Sequence, residues 1–129
     1  MRFINPPTLA TLPGFSQIVE VSGGRTIFIS GQIPLDASGT IVGQGDFRAQ
    51  AAQVFTNLQA ALAAAGTNFS AVVKLNMYVV DMSQIATLRE VRDQYVNTAN
   101  PPASTLVEVR KLARDEFLLE VEAIAYAPV

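Results

Sequence analysis

Histidine, cysteine and tryptophan are absent from the 129 residues of this chain. Without histidine there is no imidazole to act as general base near neutral pH. Without cysteine there is no thiol nucleophile, no disulfide framework and no thiolate zinc ligand. A Ser-His-Asp or Cys-His hydrolase is therefore excluded. Charge is also sparse: 16% of residues are charged, the formal net charge is −2 and the pI is about 5.0. That balance gives no basic footprint for a phosphate backbone or an anionic bilayer, so neither nucleic acid nor membrane is an expected partner. No apolar run reaches membrane-spanning length, and the proline-rich start MRFINPPTLATLPGFSQ has no apolar stretch of signal-peptide length. A cytoplasmic protein of one domain, residues 1–129, is the expectation.

What is present is apolar. Half of the residues are hydrophobic, rich for a small monomer, which predicts apolar surface buried between subunits. Two short β-type runs, Gln17 to Val21 and Thr26 to Ser30, flank Ser22-Gly23-Gly24-Arg25 and predict a hairpin. From Asp46, the residues Phe47, Ala51, Val54, Leu58, Leu62 and Ala65 recur every three or four positions, the spacing of one helix face. Asp46 suits its N-cap and Gly66 its C′ position. A strand follows, with Val73, Leu75, Met77 and Val79 on one face and Lys74, Asn76, Tyr78 and Val80 on the other. A second helix carries Ile85, Leu88, Val91 or Arg92, and Tyr95, and stops at Asn100-Pro101-Pro102. PPASTLVEV and FLLEVEAIAYAP then read as strands, the latter with Leu119, Val121, Ala123 and Ala125 opposite Glu120, Glu122, Ile124 and Tyr126. The order ββ-α-β-α-ββ implies an α+β fold: a mixed sheet with two helices on one face and a second face that packs on copies of itself.

Candidate chemistry is modest by residue pattern. Glu120 and Glu122 emerge on one strand face, where a carboxylate can serve as general base beside a second acid, although alternating glutamates also mark a solvated face. Ser30-Gly31 ends a strand, where glycine admits a ligand to exposed backbone N–H groups or simply makes a turn. Arg89 and Arg92 share part of a helix face, the usual place for solvated charges, and Asp81 reads as a helix cap. Ser104 and Thr105 stand where a loop enters a strand.

Taken in order, LPGFSQ, ISGQIP, AQVFTNLQAALAAAG, VVKLNMYVVDM, PPASTLVEV and EVEAIA resemble the RidA/YjgF family, also known as L-PSP endoribonuclease-like or reactive-intermediate deaminases. The likeness spans nearly the whole chain. It implies a chorismate-mutase-like fold and a homotrimer with a small-molecule cleft between neighbouring subunits. It also implies hydrolysis of enamines and imines such as 2-aminoacrylate and 2-iminopropanoate without metal or cofactor. By the same likeness Glu120 is the catalytic, water-orienting group, and Phe15, Ser30, Gly31, Arg89, Ser104, Thr105 and Leu106 contact the ligand.

Three positions depart from the family pattern. Ser104 stands where a Pro-Ala-Arg-Ser segment has its carboxylate-gripping arginine, Phe15 replaces a tyrosine, and Arg89 replaces an asparagine. Losing a bidentate arginine contact removes about 1.5–3 kcal/mol, roughly tenfold to over a hundredfold in binding. The expectation is therefore a deaminase of altered specificity, with weak activity on 2-iminopropanoate and a ligand less dependent on a carboxylate. A non-enzymatic trimer holding a small metabolite in the same clefts is the alternative. The ribonuclease of the family's older label fits poorly with an acidic chain lacking histidine.

Overall fold

The computed structural model describes residues 1–129. Its elements are β1 (Arg2–Ile4), β2 (Ile18–Glu20), β3 (Arg25–Gln32), α1 (Phe47–Ala64), β4 (Val72–Val79), α2 (Ile85–Arg92), β5 (Ala103–Glu108) and β6 (Leu119–Ala127). Four strands form a mixed sheet in the order β3-β6-β4-β5. β6 runs antiparallel to both β3 and β4, whereas β5 lies parallel to β4. The parallel pair requires a crossover, and α2 supplies it; α1 carries the chain from β3 over β6 to β4. No helix is long and apolar enough to cross a membrane.

α1 begins and ends where its sequence dictates. The Asp46 carboxylate accepts from Ala49 N at 3.1 Å, satisfying one of the orphan N–H groups of the first turn. At the other end Gly66 takes φ +79°, Thr67 N donates to Leu62 O and Gly66 N to Ala63 O, which together make a Schellman stop. The buried face carries Phe47, Ala51, Val54, Leu58 and Leu62 as the spacing predicts, joined by Gln50 and Phe55. These side chains meet Leu75, Met77 and Val79 of β4 and Leu119, Val121, Ala123 and Ala125 of β6 in one core of 20 buried residues. Each fully buried Leu or Phe contributes about 1.5–3 kcal/mol.

Two expectations are corrected. Gln17–Val21 and Thr26–Ser30 do not form a hairpin: β2 pairs with β1 in a separate two-stranded ribbon, and β3 pairs with β6. The Gly23-Gly24 turn instead lies against the end of β6, where the Tyr126 hydroxyl donates to Ser22 O. A register shift between Val72 and Lys74 puts Val72, not Val73, on the buried face of β4, because a bulge shifts the alternation by one residue. Both helices cover the same sheet face. The other face, carrying Thr26, Phe28, Ser30, Lys74, Asn76, Tyr78, Glu120, Glu122 and Ile124, has no cover within the chain, and Phe28 there is 77% exposed.

Candidate functional site

Two surfaces divide the residues singled out above. The first is a cavity of about 440 Å³ on the helix side of edge strand β5. Phe15, Arg89, Ser104, Thr105 and Leu106 all line it. The loop segment Phe15-Ser16 is brought there by Ser16, which is buried: its hydroxyl donates to Pro101 O at 2.5 Å and its N–H to Pro102 O at 3.2 Å. Pro102 itself has no N–H to give, so the PPAST segment offers only carbonyls at this point, and Ser16 uses two of them. This stitching seats Phe15 beside Ser104. From α2 come Ile85, Leu88 and Arg89, with Met82 just before the helix, so the wall opposite Ser104 is largely apolar.

Arg92 also lines this cavity, and here the expectation of a solvated charge is wrong for it. Its side chain is 8% exposed, whereas Arg89 stands exposed on the same helix. One turn of α2 thus carries one arginine at the rim and one inward. The sequence signal was available: Leu88, Val91 and Arg92 share the inward stripe, so position 92 competes with an apolar residue for burial.

The second surface is the uncovered sheet face, which holds Ser30, Gly31 and Glu120. A Cβ built on Gly31 would overlap the Glu120 carboxylate, coming within 2.8 Å of its Cδ. The missing side chain is what allows the carboxylate to lie against this strand. Two strands along, the Tyr78 hydroxyl donates to Glu122 Oε1 at 2.7 Å and Asn76 Nδ2 reaches the same oxygen at 3.2 Å. The hydrogen bond to Glu122 holds the Tyr78 phenol above its ordinary value, with desolvation and the Glu122 and Glu120 charges adding in the same direction. Glu122 is thereby occupied by two donors, while Glu120, its neighbour on this face, makes no side-chain hydrogen bond. Thr105 belongs partly to this face too, since its hydroxyl accepts from Lys74 Nζ at 2.8 Å.

Within one chain these two surfaces do not meet. Ser30 is on edge strand β3 and Ser104 on edge strand β5, three strand spacings apart, about 14 Å. The cavity, moreover, opens on the helix side of the sheet and Glu120 on the other. A residue that sequence reasoning overlooked supports the Glu120 end. Buried Gln50 accepts from Leu118 N at 2.8 Å and donates to Glu116 O at 2.9 Å and Gly43 O at 3.1 Å. It pins the chain two residues before Glu120 to the start of α1. Only its place one residue before Ala51 on the helical stripe could have signalled this.

The sheet order with its two crossover helices defines a chorismate-mutase-like α+β protein. A family model described as Endoribonuclease L-PSP matches residues 7–127. Protein DfrA of Myxococcus xanthus is 43% identical over 111 residues, 86% of this chain and 83% of that protein. The 2-iminobutanoate/2-iminopropanoate deaminase of Mus musculus is 37% identical over 116 residues, 90% of this chain and 83% of that one. A solved structure of YyfB from Yersinia pestis, a protein of unknown function of the conserved Rid family, superposes with a TM-score of 0.89 at 38% identity, covering 98% of each chain. The chain belongs to the RidA/YjgF family.

Proposed function

We propose that the protein is a cofactor-independent deaminase that hydrolyses enamines or imines of small reactive metabolites, with specificity altered from that of 2-iminopropanoate deaminases. The observation that carries this reading is the Glu120 carboxylate, laid against Gly31 on an uncovered sheet face in a chain 37% identical to a named imine deaminase. A free carboxylate acceptor can orient a water toward the imine carbon and take its proton as the new C–O bond forms. Protonation of the nitrogen and cleavage of the C–N bond then release ammonia and leave a carbonyl. An enamine enters the same route after protonation at carbon. The working form in this reading is a homotrimer, in which the β5 cavity of one subunit meets the Glu120 face of the next. The uncovered sheet face, on which Phe28 stands exposed beside Ile124 and Tyr78, supports that arrangement, and a monomer by sedimentation equilibrium would overturn it.

The direct test is ammonia release from imines generated by an amino-acid oxidase, with and without the protein. Acceleration is expected for some members of a panel and only weakly for 2-iminopropanoate; no acceleration for any of them would sink the reading. A second reading, a non-enzymatic metabolite-binding trimer, draws on the separation of the main cavity from Glu120 within the chain. Saturable calorimetric binding without turnover would favour it.

A further inference from the structure

We infer that Arg92 is the anion-gripping group of the β5 cavity, taking over from another element the task left open by Ser104, and that the ligand is a carboxylate bearing a bulky apolar side chain. This rests on the reading above that the cavity holds the ligand. A guanidinium buried to this degree is costly unless its donors are used. The Arg92 guanidinium donates one hydrogen bond, from Nε to Oδ1 of Asp93 at 3.0 Å, and its Nη2 lies 2.9 Å from the same atom as an ion pair. Nη1 has no protein acceptor and is open to solvent, so it is free to meet a ligand. Asp93 is 45% exposed and lies at the C-terminal end of α2, so it balances the charge from the solvent side and leaves one edge of the fork toward the cavity.

A side chain at position 14 would crowd that edge. Gly14, at φ +91°, packs close beside it, and a Cβ there would stand 2.8 Å from Nη2 and 3.4 Å from Nη1. Among the other lining residues Arg89 is the sole charge and none is acidic, so nothing in the cavity wall competes with a bound carboxylate. Arg89 at the rim adds a second positive charge along the approach. Apart from the hydroxyls of Ser104 and Thr105, the rest of the wall, with Phe15, Ile85, Leu88 and Leu106, is largely apolar. The cavity of the single chain, about 440 Å³ before a neighbouring subunit meets it, has room for more than a three-carbon imino acid. The site is therefore matched to an imino or keto acid with a branched aliphatic or aromatic side chain, and the carboxylate dependence that Ser104 appeared to remove is restored from α2.

Calorimetry with stable keto acids tests this without requiring turnover. 4-Methyl-2-oxopentanoate is expected to bind at least tenfold tighter than pyruvate, and at least tenfold tighter than its own uncharged amide. Arg92→Met is expected to lose at least tenfold for the acid and little for the amide; Arg89→Met should lose less. Equal binding of acid and amide, or a folded Arg92→Met protein that keeps its affinity for the acid, would overturn the inference. So would a larger loss in Arg89→Met than in Arg92→Met. Should Arg92→Met fail to fold, the acid-to-amide ratio of the unmodified protein decides, since it needs no variant. Acid binding that depends on Arg92 with no imine hydrolysis would remove the deaminase reading and keep this one. Imine hydrolysis with binding indifferent to Arg92 would do the reverse.

Discussion

Replacing Gly31 with alanine should cost activity without costing the fold. Gly31 does not have a positive φ, so alanine meets no backbone strain there. The new Cβ would lie 2.8 Å from Glu120 Cδ and 3.0 Å from Cγ. Ordinary carbon contacts are about 3.5–4.0 Å, so the carboxylate must retreat by about 1 Å. A misplacement of about 1 Å in a catalytic group costs on the order of a hundredfold, or about 2.7 kcal/mol in the barrier. Stability, by contrast, should move by less than about 1 kcal/mol, because the entropy gained from a Gly→Ala change offsets a displaced rotamer. The assay is kcat/KM for imine hydrolysis, measured with a urea melt of the same variant. A double-mutant cycle sharpens it: in a Glu120→Ala background, Gly31→Ala should add almost nothing. Unchanged kcat/KM in Gly31→Ala, or a full additional loss in the Glu120→Ala background, would refute the idea that Gly31 serves to seat Glu120.

Other perturbations follow from the same contacts. Gln50→Leu should destabilise by about 3 kcal/mol despite being an apolar change in the core, because it strands the Leu118 N–H and the Glu116 carbonyl, while the Gly43 carbonyl keeps its bond from Asp46 N; a denaturation midpoint equal to the parent's would contradict this. Gly66→Ala should cost about 1 kcal/mol by forcing a Cβ into the left-handed stop of α1, readable as a lowered Tm. Tyr78 should ionise above the ordinary tyrosine value, and Glu122→Gln should bring it down; absorbance at 295 nm during alkaline titration follows both. Because the folded state raises this pKa, its contribution to stability is complete below the ordinary value and is lost as pH rises through the raised one. A Tyr78 that titrates like free tyrosine would show that the bond to Glu122 does not persist in solution.

Local chemistry is legible in the sequence where the signal and its partner lie close in the chain. Asp46 and Gly66 bracket α1 because capping is settled within four residues of the helix end. Alternation along Leu119–Ala127 gave the right faces because nothing interrupts that strand. The hairpin failed for the opposite reason. A Gly-Gly turn marks a change of direction but does not say which strand lies alongside, and β3 finds a better partner in β6, roughly a hundred residues later in sequence. Val73 departs from the face its alternation predicts because a bulge leaves no mark in composition.

By itself the sequence determined the chemistry available: no imidazole or thiol, one strand presenting Glu120, and a serine at position 104 in place of a grip. These follow from residue identity and strand period, which need no knowledge of neighbours. Only the tertiary structure decided that Arg92, three positions from the exposed Arg89, turns inward beneath Gly14 and faces Ser104 across a cavity. That outcome depends on α2 packing against α1 and on the Ser16 stitch to Pro101 and Pro102, the latter a contact between residues 85 positions apart. Burial of a charge is a property of what surrounds it, and a sequence read one residue at a time does not contain the surroundings.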